Sequence, residues 1–207
     1  MTALFDDDFE SGGLTGWTQQ GSPAVDATAK NFGTYGLHIT ASAASEYISK
    51  SFPASTKMYV GRLYFKIVSL PAAKQGIVVA TGTNGMRLYV RNNGAISAQS
   101  QAGTEIITAG TYNDSAWHRL DWRFDRTGGS NATIDWQVDG AAQTQATSAS
   151  AAADMLEMRL GVDGTATCEY YIDQLVGSDV SGNYPFGAYV PPSTMTDAMG
   201  MSRFFGQ

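Results

Sequence analysis

Alternation of apolar and polar side chains is the feature that most limits what this chain can fold into. From Trp117 to Asp125, the residues His118, Leu120, Trp122 and Phe124 fall on one side of an extended chain, and Arg119, Asp121, Arg123 and Asp125 fall on the other. A period of two is that of a half-buried β-strand, whose successive side chains point to opposite faces. The pattern recurs. Leu63, Phe65 and Ile67 oppose Arg62, Tyr64 and Lys66, and Met86, Leu88 and Val90 oppose Arg87, Tyr89 and Arg91. Ala132 to Val138 continues it, as do two late segments, one with Leu156, Met158, Leu160 and Val162 and one from Cys168 to Val176. In the second, Tyr170 and Ile172 share one face, and Tyr171 and Asp173 share the other. Helical periodicity is nearly absent.

Turn chemistry separates these segments. Asn92-Asn93-Gly94, Gly128-Gly129-Ser130-Asn131 and Asp139-Gly140 tolerate the positive φ that tight hairpins require, and 23 glycines supply further turns. Half-buried antiparallel strands joined in this way predict an all-β fold, a two-sheet antiparallel sandwich of the jelly-roll kind. Its expected core holds Leu63, Phe65, Ile67, Leu88, Leu120, Trp122, Phe124, Ile134, Trp136, Leu160 and Ile172. The Ala/Ser-rich stretches 40–45 and 146–153 read as loops, the second with room for a helical turn. Beyond Ser181 the chain turns aromatic and proline-punctuated, which rules out a central strand. Residues 1–182 are therefore expected to form the sandwich and 183–207 an irregular C-terminal arm.

Composition narrows the function classes. With 43% hydrophobic and 15% charged residues the chain is globular rather than disordered. Thirteen Lys and Arg against 19 Asp and Glu give a net charge of −6, so nucleic acid is not an expected partner. No apolar run approaches the roughly 20 residues of a membrane span. Met1 to Asp8 has neither a basic nor an apolar signal-peptide region, so the chain is expected to be made in the cytoplasm or to be a mature secreted chain. The single cysteine, Cys168, has no internal disulfide partner and is expected in a strand core.

Three blocks carry a family resemblance. Asp8 to Trp17 with Asn31 to Ile39 resembles the opening strands of jelly-roll carbohydrate-binding modules. Ala116 to Leu120 with Asp135 to Gly140 is similar to the strand pair of laminin G-like and concanavalin A-like domains, and Tyr170 to Val176 to the closing strand of both. The full layout, with Tyr184-Pro185-Phe186-Gly187 after the last strand, also resembles accessory virion proteins (minor tail or capsid decoration) of tailed bacteriophages. The resemblance implies a lectin-like sandwich, and it implies one structural Ca²⁺ held by Asp8 and Glu10, a carbonyl near Asn31–Gly33, and Asp173.

Catalytic chemistry finds little support. Asp121 with Asp125, and Asp135 with Asp139, lie four strand residues apart, about 13–14 Å, too far for either glycosidase geometry. Their alternation with arginines reads as a solvated face. His38 and His118 have no nucleophile motif beside them, and His118 falls in phase with the core. A non-enzymatic structural or adhesion protein on a virion surface is therefore the expected role. The alternatives are a carbohydrate-binding module of a secreted bacterial protein and a small glycan hydrolase. The outward residues Arg62, Tyr64, Arg87, Tyr89 and Arg91, with Lys66 beside them and Trp17 and Trp117 open, form the candidate glycan surface. The arm, through Tyr184, Phe186, Tyr189, Phe204 and Phe205, is the candidate docking element for other virion proteins or a second copy.

Overall fold

The computed structural model describes residues 5–82, 85–100, 103–129, 131–149 and 154–186. It is an all-β sandwich made from one curled antiparallel sheet, and two long strands build both layers. These are β4 (Gly36–Ser51) and β14 (Glu157–Ser178), paired along most of their length with a register break between Val162 and Thr167. On the C-terminal side of the break, Glu169–Ser178 of β14 pairs with β5 (Met58–Ser69). Beyond β5 lie β10 (His118–Asp125) and β11 (Asn131–Val138). On the other side, Met158–Leu160 pairs with β6 (Gln75–Ala80), followed by β7 (Met86–Val90), β8 (Ile96–Ser100) and β9 (Ile106–Ile107).

Short strands finish the edges. β1 (Phe5–Asp7) continues beside β14, β2 (Thr18–Gln20) and β3 (Ala24–Asp26) lie along β4, and β12 (Ala141–Ala142) and β13 (Ala146–Ala149) flank β11. β8 packs against β11 and β13, so the two ends of the sheet meet and close the core.

Every expected core residue is buried in one hydrophobic cluster. Trp122 and Trp136 are directly opposed across β10 and β11, and both are among the largest fully buried side chains. The Trp122 ring lies flat on the backbone of Gly61, where a Cβ would collide with it. Asp139 and Gly140 both have positive φ, the hairpin geometry that their sequence predicts. Cys168 is buried and free.

Four sequence expectations change. The two late segments are one 22-residue strand, and Leu156, ahead of it, is 62% exposed rather than in the core. The stretch 40–45 is not a loop but the middle of β4, because small Ala and Ser side chains let it follow β14 around the bend. Ala146–Ala149 is an edge strand, anchored where the Ser148 hydroxyl meets Ser100 at 2.7 Å; residues 150–153 lie outside the described residues. Finally, Asp121 is fully buried and Arg62 is 8% exposed. The outer face of β5 and β10 is thus partly covered rather than solvated.

Replacing Trp122 with Ala should lower unfolding stability by about 3–5 kcal/mol, the cost of a large cavity against a rigid backbone wall. Chemical denaturation followed by circular dichroism checks this; a loss below about 1 kcal/mol would show that the ring is not packed as described.

Candidate functional site

Strand register lays the outward side chains of the β4–β14–β5–β10–β11 layer into four rows across the strands. The first runs His38, Tyr171, Lys66 and then Trp117. The second holds Asp173, Tyr64 and Arg119, the third Val176, Arg62, Asp121 and Gln137, and the fourth Ser178, Val60, Arg123 and Asp135. The rows differ in what covers them.

Rows three and four lie under the chain's own C-terminal segment. After a 3-10 turn at Ser181–Asn183, the Phe186 backbone lies near the Asp121 carboxylate and favours its charge. The Tyr184 ring sits 5.7 Å from the Arg123 guanidinium, and its hydroxyl bonds the Gln137 side chain. Burial pushes the Asp121 carboxyl up, against the pull of Arg119 and Arg62. Arg119 Nε donates to Asp121 at 2.8 Å. Row two is roofed by the loop before β4. There Phe32 packs edge-on against Tyr64, 5.5 Å between centroids, and the Asn31 and Phe32 N–H groups donate to Asp173 at 2.7 and 3.0 Å.

The residues named from the sequence therefore divide. Arg62 is buried and Tyr64 half-covered. Arg87 and Tyr89 stand on β7 and Arg91 just follows it, in the other layer, with β14 and β6 between β7 and β5. Their polar ends are engaged: Arg87 with Asp163 at 3.3 Å, Arg91 with Glu105 at 2.6 Å, and Tyr89 beneath Lys74 Nζ at 4.6 Å. The five do not form one glycan surface, because alternation gives a residue's phase but not its layer. Trp17 is no platform either, since its ring is buried under Lys50 Nζ and its Nε1 donates to Asp7. Of the docking residues, Tyr184 and Phe186 lie on the chain's own sheet. Tyr189, Phe204 and Phe205 lie outside the described residues.

The residues inferred for calcium do not fit the ion. Asp173 is fully buried with both oxygens accepting N–H bonds, from Asn31, Phe32 and Gln174. Where the resemblance implies a loop carbonyl, the loop presents N–H groups of the wrong polarity for a cation. Glu10 caps the Thr34 and Tyr35 N–H groups, and Asp8 caps the Glu10 N–H. Among the described residues no three His, Cys, Asp or Glu side chains converge to hold a metal. Burial pushes the Asp173 carboxyl up to about 6, although the three N–H bonds oppose it. These acids fasten loops to the sheet.

Row one stays open. The Trp117 and Tyr171 rings lean together over β5, 6.4 Å apart and tilted by 37°. Lys66 Nζ stands 6.0 Å from the Tyr171 centroid. His38 meets Tyr171 edge-on at 4.8 Å. All four are half-buried. Sequence reasoning left Trp117 undecided and missed Tyr171 and His38 as site residues. The signal for Tyr171 was its outward phase in Cys168–Val176.

A histidine clamp secures each side of this row. His38 Nδ1 bonds Asp26 at 2.6 Å, and Nε2 bonds Glu169 at 2.8 Å, tying β3, β4 and β14 together. His118, buried beside Phe65 and Tyr112, bridges Asp139 at 2.8 Å and Asp114 at 2.9 Å. This is the satisfied histidine that its phase predicts. Burial alone would lower both histidines, but the flanking carboxylates outweigh it and hold each above the ordinary histidine value. Both ring nitrogens of a protonated imidazole donate. The Thr40 hydroxyl lies 2.9 Å from His38 Nε2, the nitrogen that also bonds Glu169.

No family model and no curated protein sequence matches the chain. Solved structures do. The conserved carbohydrate esterase of the Shiga toxin-encoding bacteriophage phi24B is 18% identical at a TM-score of 0.59, over 85% of this chain and 97% of that one. The endo-beta-1,4-glucuronan lyase of the fungus Trichoderma reesei is 14% identical at 0.59, over 86% and 95%. The T. cruzi calreticulin globular domain is 12% identical at 0.55, over 96% and 94%. At these identities the likeness shows a shared lectin-like β-sandwich fold.

Two measurements follow. A histidine raised by folding contributes stability that is complete below its unfolded value near 6.5 and is lost as pH rises through the higher folded value. Melting temperature should therefore fall from pH 6 upward more steeply in the native protein than in His118→Gln; equal slopes would contradict the clamp. Melting temperature should also be the same in excess chelator and in excess Ca²⁺. A rise of several degrees with Ca²⁺ would show that the acids bind metal after all.

Proposed function

We propose that this chain is a non-catalytic glycan-binding sandwich of a tailed-phage virion surface, and that it engages sugar through Trp117 and Tyr171. The observation that carries the reading is the half-buried aromatic pair of row one, beside polar groups that are held in place. Sugar rings present apolar C–H faces that stack on aromatic rings, while their hydroxyls need fixed polar partners. Row one offers both, with Tyr171 and Lys66 on strands and Trp117 immediately ahead of β10.

Binding without turnover is favoured because the acids here have other work. Asp26 and Glu169 flank an imidazole that fills the gap between them, so no sugar or water can sit there as a glycosidase would require. Asp121 is buried under Phe186 and held by Arg119. The virion setting is supported by the sequence layout described above. It is also supported by the shared fold with a phage-encoded chain that is covered almost end to end. Attachment to other virion proteins, or to a second copy, is assigned to the chain beyond Phe186, since Tyr184 and Phe186 are engaged on their own sheet.

Oligomerised protein on a glycan array should give signals that Trp117→Ala and Tyr171→Ala each reduce roughly five- to tenfold, about 1 kcal/mol or a little more per ring. Arg87→Ala and Tyr89→Ala, in the other layer, should not change them. A silent array, or signals unaffected by both aromatic substitutions, would remove the proposal.

A further inference from the structure

We infer that the row-one platform selects acidic sugars, with Lys66 receiving the carboxylate of a uronate or sialate residue stacked on Trp117 and Tyr171. This rests on the glycan reading above and adds the ligand class to it. The inference begins from how charge is distributed around the row. The chain is acidic overall, at −6, so a cation left without a counter-ion stands out against the background.

The carboxylates nearest the row are already matched. Asp26 and Glu169 are held by His38 on the β4 side. Asp114 and Asp139 are held by His118 on the β10 side. In the neighbouring row Arg119 is bound to Asp121, and Asp173 is bound by loop N–H groups. Elsewhere in the molecule Lys74 pairs with Glu105. Lys66 has no carboxylate within ion-pair distance among the described residues, and its Nζ lies near the Tyr171 ring instead.

Lys66 lies on β5, between β14, which carries Tyr171, and β10, which begins at the residue after Trp117. A sugar lying on both rings therefore brings its substituents to Lys66. Half-burial beside the Tyr171 ring lowers the local dielectric, which strengthens a charge-assisted bond relative to open water. A neutral sugar would leave that ammonium partly desolvated and unmatched, which costs binding free energy. Discrimination then comes from both the gain and the penalty.

The test is a panel of uronate- and sialate-bearing oligosaccharides, each paired with its neutral counterpart, the carboxyl-reduced oligomer or the desialylated core. Binding is read by calorimetry at low and high salt. At least one acidic member should bind about tenfold or more tightly than its neutral partner, and added salt should erode that preference. Lys66→Gln should bring the acidic-to-neutral ratio to within about twofold of one. Lys57→Gln, the same charge change at the far end of β5, should leave the ratio intact. If neutral glycans bind as well as acidic ones, or if Lys66→Gln keeps the preference, the inference is overturned and glycan binding stands. If no glycan of either kind binds, both readings fall.

Discussion

The pairing of β4 with β14 is the interaction on which the rest of the molecule depends. Both strands pass through the bend between Val162 and Thr167 and serve as central strands in each layer. A central strand has backbone N–H and C=O groups buried on both edges, and each must find a partner. One strand, flanked by β4 along most of its length and by β5 and then β6 on the other edge, satisfies that demand without a connection between layers. Its inward side chains, among them Met158, Leu160, Cys168, Tyr170 and Ile172, join the core on both sides of the bend. Its outward side chains, Glu169, Tyr171 and Asp173, supply the centre of the outer face.

That face is organised by what its own chain lays over it. The loop at Asn31–Phe32 brings N–H groups down onto Asp173, and the segment at Tyr184–Phe186 lies near Asp121. Both acids are fully buried as a result, and burial pushes both upward. An ionised carboxylate so placed is tolerable only when donors surround it. The covered rows are therefore structural, and on the proposed reading recognition falls to the end where the half-buried Trp117, Tyr171 and Lys66 stand. The two histidine clamps each engage a pair of carboxylates, Asp26 with Glu169 and Asp114 with Asp139.

Much of this was legible beforehand. The apolar phase of Leu120, Trp122 and Phe124, and of Ile134 and Trp136, identifies core residues because extended chains expose alternate sides to different media. Asp139-Gly140 announces its hairpin because few residue pairs accept positive φ twice in succession. His118 announces itself as a satisfied core histidine by sharing that apolar phase. Less was legible at the site. Arg62 and Asp121 have the phase of solvent-facing residues, but the phase cannot reveal that Phe186 or the 30–35 loop will return to cover them. Arg62 and Arg87 show the same local pattern, yet they stand in different layers.

The amino-acid sequence by itself determined that this chain is all-β, which side of most strands faces the core, and where several of its hairpins turn. These properties depend on a residue and its near neighbours. Only the tertiary structure decided that 40–51 and 157–178 are continuous strands shared by two layers. It also decided that the acids inferred for calcium bind loop N–H groups, and that Trp117 meets Tyr171. Each of those outcomes joins residues tens to more than a hundred positions apart, such as Asn31 with Asp173 and His38 with Glu169. Contacts at such separation arise from closing a whole sheet around one core, and no local pattern of side chains encodes them.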